Sequence, residues 1–150
     1  MELHTLFHSV HQLSRQIMKQ NNTALQQHGL YSAQWSVLYV LKQKGRLTQK
    51  ELGEYLSVEA PPMTRTIQRL VKQGYVRQVP GEDKRVKFIE LTEEAEKKYL
   101  SWEKAVLQVN KQTIEGLSEE QRDQLQALLS VWLYSLNSNE KQQGKEESNE

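Results

Sequence analysis

Residues 47–92, LTQKELGEYLSVEAPPMTRTIQRLVKQGYVRQVPGEDKRVKFIELT, leave this chain few ways to fold. Thr48-Gln49-Lys50-Glu51 is a capping box, in which the Thr hydroxyl and the Glu carboxylate each meet a backbone N–H that a helix start leaves orphaned. A short helix follows, with Leu52, Tyr55 and Leu56 as its expected buried side. Ser57-Val58 leaves room only for a tight connection. Glu59-Ala60-Pro61-Pro62 then opens a second helix. Proline is tolerated in a first turn because those amides lack intrahelical acceptors, and Glu59 suits the positive end of the helix dipole. Met63, Ile67, Leu70 and Val71 form an inward stripe, and Gly74 ends the helix. Two β-rich runs, 75–79 and 86–91, flank PGEDKR, a turn sequence with Pro80 and Gly81. The predicted order is helix, turn, helix, hairpin.

The flanks read as helices. In 2–27, Leu3, Leu6, Phe7, Val10, Leu13 and Ile17 fall on one stripe, closed by Gly29. Ser32 is the expected N-cap of a second helix, SAQWSVLYVLKQKG, that buries Trp35, Leu38, Val40 and Leu41 and ends at Gly45. After Thr92 a helix over 93–115 carries Ala95, Tyr99, Trp102, Val106, Val109 and Thr113 at alternating spacings of four and three, a seam able to face another helix. Ser118-Glu119-Glu120-Gln121 is a second capping box, and Leu125, Leu128, Leu129, Trp132, Leu133 and Leu136 share one side of the last helix. Residues 137–150 contain no apolar side chain and read as a disordered polar tail. The fold class is therefore mainly α with one small β-hairpin.

Charge is uneven along this chain. The whole carries 20 Lys and Arg against 19 Asp and Glu, a net of +1. Within 61–89, seven basic residues (Arg65, Arg69, Lys72, Arg77, Lys84, Arg85, Lys87) face only Glu82 and Asp83. Local charge, not the total, decides nucleic-acid binding. Two helices joined by a short turn can lay the second in a major groove while the first braces the backbone. Thr64, Arg65 and Gln68 are polar residues in the leading half of that second helix, and Arg and Gln can bond base edges bidentately. Thr48, Gln49 and Lys50 sit at a helix start, where amides and side chains suit phosphates. A narrow hairpin tip with Lys84 and Arg85 suits a minor groove.

At this point the chain resembles the MarR family of bacterial winged helix-turn-helix regulators over about residues 5–136. SVEAPPMTRTIQRLVKQGYV resembles the family's recognition helix and first wing strand; TQKELGEYL resembles the helix before it. GEDKRVKFIELTEEA resembles the wing, with Asp83, Arg85, Leu91 and Thr92 at the family's spacing. Ala95 stands where the family usually has Gly. The resemblance implies a homodimer made by helices within 1–30 and 112–136, a DNA-binding domain over 31–92 and a connecting helix over 93–111. It implies a transcription regulator, most often a repressor on a palindromic double-stranded operator, released by a small molecule. Pro61, Pro62, Thr64, Arg65, Gln68 and Arg69 would face the major groove. Asp83, Lys84, Arg85 and Lys87 would form the wing contact, with Arg85 in the minor groove and Asp83 holding the wing in shape. A family activator, or a winged helix that docks an acidic protein partner instead of DNA, are the competing readings.

Other function classes find little support. There is no Cys, which removes disulfides, thiolate metal sites and the thiol switches of redox-sensing relatives, and fits a cytoplasmic protein. His4, His8 and His11 share one helix face, but three His on a single helix do not close a tetrahedral site without a partner elsewhere. No His follows position 28, so the resemblance does not extend to zinc-sensing members, and no metal or cofactor is expected. No catalytic triad order, phosphate-binding Gly loop or membrane span is present, so no enzyme or membrane role is expected. An effector cleft is expected among the first, second and post-hairpin helices, with His11, Arg15, Tyr31, Trp35, Tyr39 and Trp102 as candidates. Arg beside aromatics suits an aromatic or phenolic acid, although a packed core explains the same aromatics.

Overall fold

A computed structural model describes residues 2–146. The chain divides into two compact units between Lys111 and Gln112. The first contains α1 (Leu3–Gln26), α2 (Ser32–Lys44), β1 (Leu47–Thr48), α3 (Gln49–Leu56), α4 (Ala60–Gln73), β2 (Val76–Pro80), β3 (Lys87–Leu91) and most of α5 (Glu93–Thr113). The second consists of the end of α5, a turn and α6 (Glu119–Glu146). The helix-turn-helix-hairpin order read from the sequence is the order observed.

One apolar cluster holds the first unit together. Leu25, Leu30, Val37, Leu38, Leu52, Met63, Ile67, Leu70, Ile89 and Trp102 are all essentially sealed from solvent. Each such aliphatic side chain contributes about 1.5–3 kcal/mol by leaving water. The stripe of α4 that enters the cluster is Met63, Ile67 and Leu70; Val71 is exposed instead. Tyr55 is also exposed, with the Lys44 ammonium 4.6 Å from its ring centroid. On so short a helix only one face meets the core: Leu52 fills it, and Leu56 packs half-buried beside it. The seam of α5 is consumed inside this unit: Ala95, Tyr99, Trp102 and Val106 are buried in the same cluster, while Thr113 is exposed.

The hairpin belongs to a three-stranded antiparallel sheet, ordered β1-β3-β2. Leu47 pairs with Ile89 and Thr48 with Phe88, so the two residues ahead of α3 form a strand that the sequence did not announce. In the hairpin Val76 faces Leu91 and Pro80 faces Lys87. Pro80 is accommodated because β2 is an edge strand. Gly81 closes the loop by donating to Val86 O at 2.8 Å. A Cβ at Gly81 would lie 2.9 Å from the Phe88 ring, so this position has no room for a larger residue.

Two local features differ from those expected. Ser32 is the first residue of α2 rather than its cap, which is Tyr31. The Ser32 hydroxyl instead donates to Met18 O, and its amide to Asn22 Oδ1 at 2.7 Å, tying α2 to α1. Gln34 accepts the Tyr31 amide at 2.9 Å and replaces the expected serine cap. Residues 137–146 are helical, a continuation of α6, not a disordered tail; 147–150 lie outside the described residues. Extending an existing helix adds one hydrogen bond per residue fixed, and Glu, Lys and Gln are good helix formers, so polarity alone does not stop it.

Candidate nucleic-acid interface

The start of α3 is built as the capping box requires. Thr48 Oγ1 accepts from the Glu51 amide and the Thr48 amide donates to Glu51 Oε1, both at 3.1 Å. Lys50 is well exposed on this turn, 4.0 Å from Glu54. Gln49 does something other than wait for a phosphate. Its Nε2 donates to Thr64 Oγ1 at 2.7 Å, joining α3 directly to α4. Thr64 Oγ1 also donates to Ala60 O at 2.9 Å. The hydroxyl expected to read a base is therefore already engaged in fixing the helix pair.

Between these helices the turn is tight. Val58 N donates to Gly53 O at 2.9 Å, and Ser57 occupies the left-handed region at φ 54°. A Cβ on Gly53 would come within 2.9 Å of Val58 O, so glycine is what lets the turn close on α3. Glycine in mid-helix costs about 1 kcal/mol against Ala, which is a signal in itself. Beyond the turn, Pro61, Pro62, Arg65, Gln68 and Arg69 are exposed on α4, with Thr64 half-buried between them and the core. These five side chains form a solvent-exposed surface on α4.

At the wing tip Arg85 projects with 91% of its side chain exposed. Asp83 holds it from two sides. The Arg85 amide donates to Asp83 Oδ1 at 3.1 Å, and its Nε and Nη2 reach the two carboxylate oxygens at 3.3 Å. The backbone hydrogen bond first, and the guanidinium second, hold the Asp83 carboxyl below its usual value. Lys84 and Lys87 are exposed beside this pair. Lower on the hairpin, Arg77 is tied to Glu90 at 2.7 Å across the ladder, so it serves the sheet. Arg46, just ahead of β1, has its guanidinium 4.9 Å from the Phe88 ring centroid, a contact that sequence reading missed.

The six residues expected at an effector cleft are dispersed. Arg15 and Tyr31 border one recess of about 480 Å³ along α1, and Arg15 donates to Gln12 Oε1. Trp102 is 1% exposed and packs edge-on to Tyr75 at 4.7 Å, and Trp35 stacks on Tyr99 at 5.3 Å. Both Trp are core, so neither lines a cleft; Tyr39 and His11 are exposed. Among the described residues no cluster of three metal-capable side chains forms.

A braced helix pair with an exposed polar-basic second helix and a basic wing defines a winged helix-turn-helix transcription regulator. Known proteins narrow the class. A family model described as MarR family matches residues 28–86. The HTH-type transcriptional regulator YwoH of Bacillus subtilis (strain 168) is 44% identical over 128 residues, which is 85% of this chain and 93% of that one. The transcriptional regulator PA4135 has a similar crystal structure, with TM-score 0.79 and 28% identity, covering 86% of this chain and 96% of that one. A mutant of MarR from E. coli, complexed with operator DNA, also superposes with TM-score 0.79, at 25% identity over 86% and 94% of the two chains. This chain belongs to the MarR family.

Proposed function

We propose that the chain is a cytoplasmic repressor that binds a palindromic duplex operator as a homodimer and is released by a small aromatic acid. The wing carries the reading: Arg85 is exposed, unburdened by the core and pre-shaped by Asp83, on a hairpin tip narrow enough for a minor groove. Arg65, Gln68 and Arg69 on the exposed face of α4 supply base contacts in the major groove, and the capped start of α3 supplies phosphate contacts. The MarR structure with operator DNA, at 25% identity, supports the same partner for this chain.

The dimer rests on uncovered apolar surface. On α1, Leu3, Leu6, Phe7, Val10, Leu13 and Ile17 are all exposed, and on α6 so are Leu128, Leu129, Val131, Leu133, Tyr134 and Leu136. Exposed apolar surface of this extent marks an interface, and a second copy provides cover by symmetry. Two copies also present two reading heads, which matches a palindrome. Arg15 and Tyr31 at their shared recess offer a cation and a ring to an aromatic carboxylate. Among the described residues no helix is long and apolar enough to cross a membrane.

The test is a gel shift with duplex taken from upstream of the chain's own gene. Arg85→Ala should weaken binding by about 5- to 150-fold for each wing lost, since a good arginine contact contributes ~1–3 kcal/mol, while sedimentation still shows a dimer. Binding equal to the unaltered protein would remove the wing from the interface. A thermal-shift screen with phenolic acids tests the effector; no shift from any of them rejects that ligand class.

A further inference from the structure

Arg46 belongs neither to the capped helix start nor to the hairpin, yet it touches the residue that connects them. Phe88 sits on the central strand, with Thr48 and Val79 as its register partners on either side. One edge of its ring lies against Gly81, at the entrance to the wing loop. The Arg46 guanidinium is 4.9 Å from the ring centroid. Arg46, Gly81, Asp83 and Phe88 border one recess of about 600 Å³.

The charge on Arg46 is not spent on the protein. Two acids share the recess, Glu82 and Asp83, and Asp83 is bonded to Arg85. Among the described residues no carboxylate pairs with Arg46. A cation over an aromatic ring uses no hydrogen-bond acceptor, so the five N–H donors of the guanidinium remain available. The fork of an arginine matches a phosphate bidentately.

We propose that Arg46 is a phosphate clamp on the duplex, set between the start of α3 and the wing, with Phe88 as its positioning residue. The proposal rests on the DNA-binding reading above. Thr48 and Lys50 lie two and four residues downstream of Arg46, and the wing loop lies across the same recess. A strand of backbone that passes between α3 and the groove entered by Arg85 runs past this side chain. Stacking on Phe88 limits the rotamers of Arg46 before DNA arrives, which lowers the ordering cost of binding. A phosphate contact carries no base information, so its effect is independent of sequence.

The experiment is fluorescence anisotropy over a salt series, with the operator duplex and a scrambled duplex, for the full chain and its Arg46→Ala, Arg46→Lys, Phe88→Leu and Arg85→Ala variants. Arg46→Ala should weaken both duplexes by the same factor. The slope of log affinity against log salt should fall by about 0.9 per clamped phosphate, or roughly 1.8 per dimer. Arg46→Lys should recover the slope but not the full affinity, because an ammonium lacks the fork. Phe88→Leu should lower affinity with the slope kept. Thermal melting of Arg46→Ala should match the unaltered protein, since the side chain is exposed. Three results overturn the proposal: Arg46→Ala binding as the unaltered protein does, a loss of affinity with an unchanged slope, or a loss confined to the operator. Failure of the unaltered protein to bind either duplex overturns the DNA-binding reading itself, and is separable from those three.

Discussion

Gly53→Ala should destabilise this protein, against the sign that helix propensity gives. Ala exceeds Gly by about 0.8–1.0 kcal/mol in a helix interior, so an open site would gain. At Gly53 the new Cβ would lie 2.9 Å from Val58 O. That oxygen is backbone, in a turn pinned by the Val58 N to Gly53 O hydrogen bond of 2.9 Å, so it cannot swing aside as a side chain does. Overpacking of this kind costs about 1–3 kcal/mol, which leaves a net loss of up to roughly 2 kcal/mol once the propensity gain of about 1 kcal/mol is subtracted. At roughly 2–4 °C per kcal/mol for a chain of this size, Tm should fall by up to about 8 °C. Displacing the turn also shifts α4 against α3 and loosens the Gln49–Thr64 bond, so operator affinity should fall as well. Gly144→Ala is the control: it lies in α6 with nothing within 4 Å of a new Cβ, and should be neutral or slightly stabilising. If calorimetry finds Gly53→Ala as stable as Gly144→Ala, or more so, the close approach of the turn is not what fixes this glycine.

Two further outcomes follow from the core. Burial, with the Glu103 charge adding to it, pushes the Tyr99 phenol up to about 12 from its ordinary value of 10.0. The fold therefore favours the neutral phenol, and this contribution is complete below pH 10 and lost as pH rises toward 12. Absorbance titration should show one late tyrosinate that disappears in Tyr99→Phe; if the absorbance lost in that variant comes from the ordinary tyrosine range instead, Tyr99 is not sealed. Trp102→Ala removes a sealed ring from the packing of α5 and should cost about 3–5 kcal/mol, read as a lower urea midpoint; a midpoint unchanged would place Trp102 outside the stabilising core.

Local rules were enough to read the capped start of α3, the Ser118–Gln121 box ahead of α6, the proline entry to α4 and the hairpin with Arg85 at its tip. Each depends on groups a few residues apart, where chain connectivity brings donor and acceptor together whatever the rest of the molecule does. The apolar stripe of α4 was legible for the same reason, because a period of 3.6 residues sets one face. What a face meets was not. The seam of α5 can face another helix by its spacing, and only the closed first unit shows that it fills that unit's own core. Trp35 and Trp102 could have lined a cleft until their ring partners, Tyr99 and Tyr75, were in place. The β1 strand needs Ile89 and Phe88, some forty residues away, before two residues become a strand. Gln49 meets Thr64, and Arg46 meets Phe88, across turns that leave no mark on periodicity. Sequence set the helix-turn-helix, the hairpin and its basic tip, because these are properties of neighbours along the chain. Tertiary structure decided which polar groups remain free for DNA, because that depends on which ones the closed fold has already engaged.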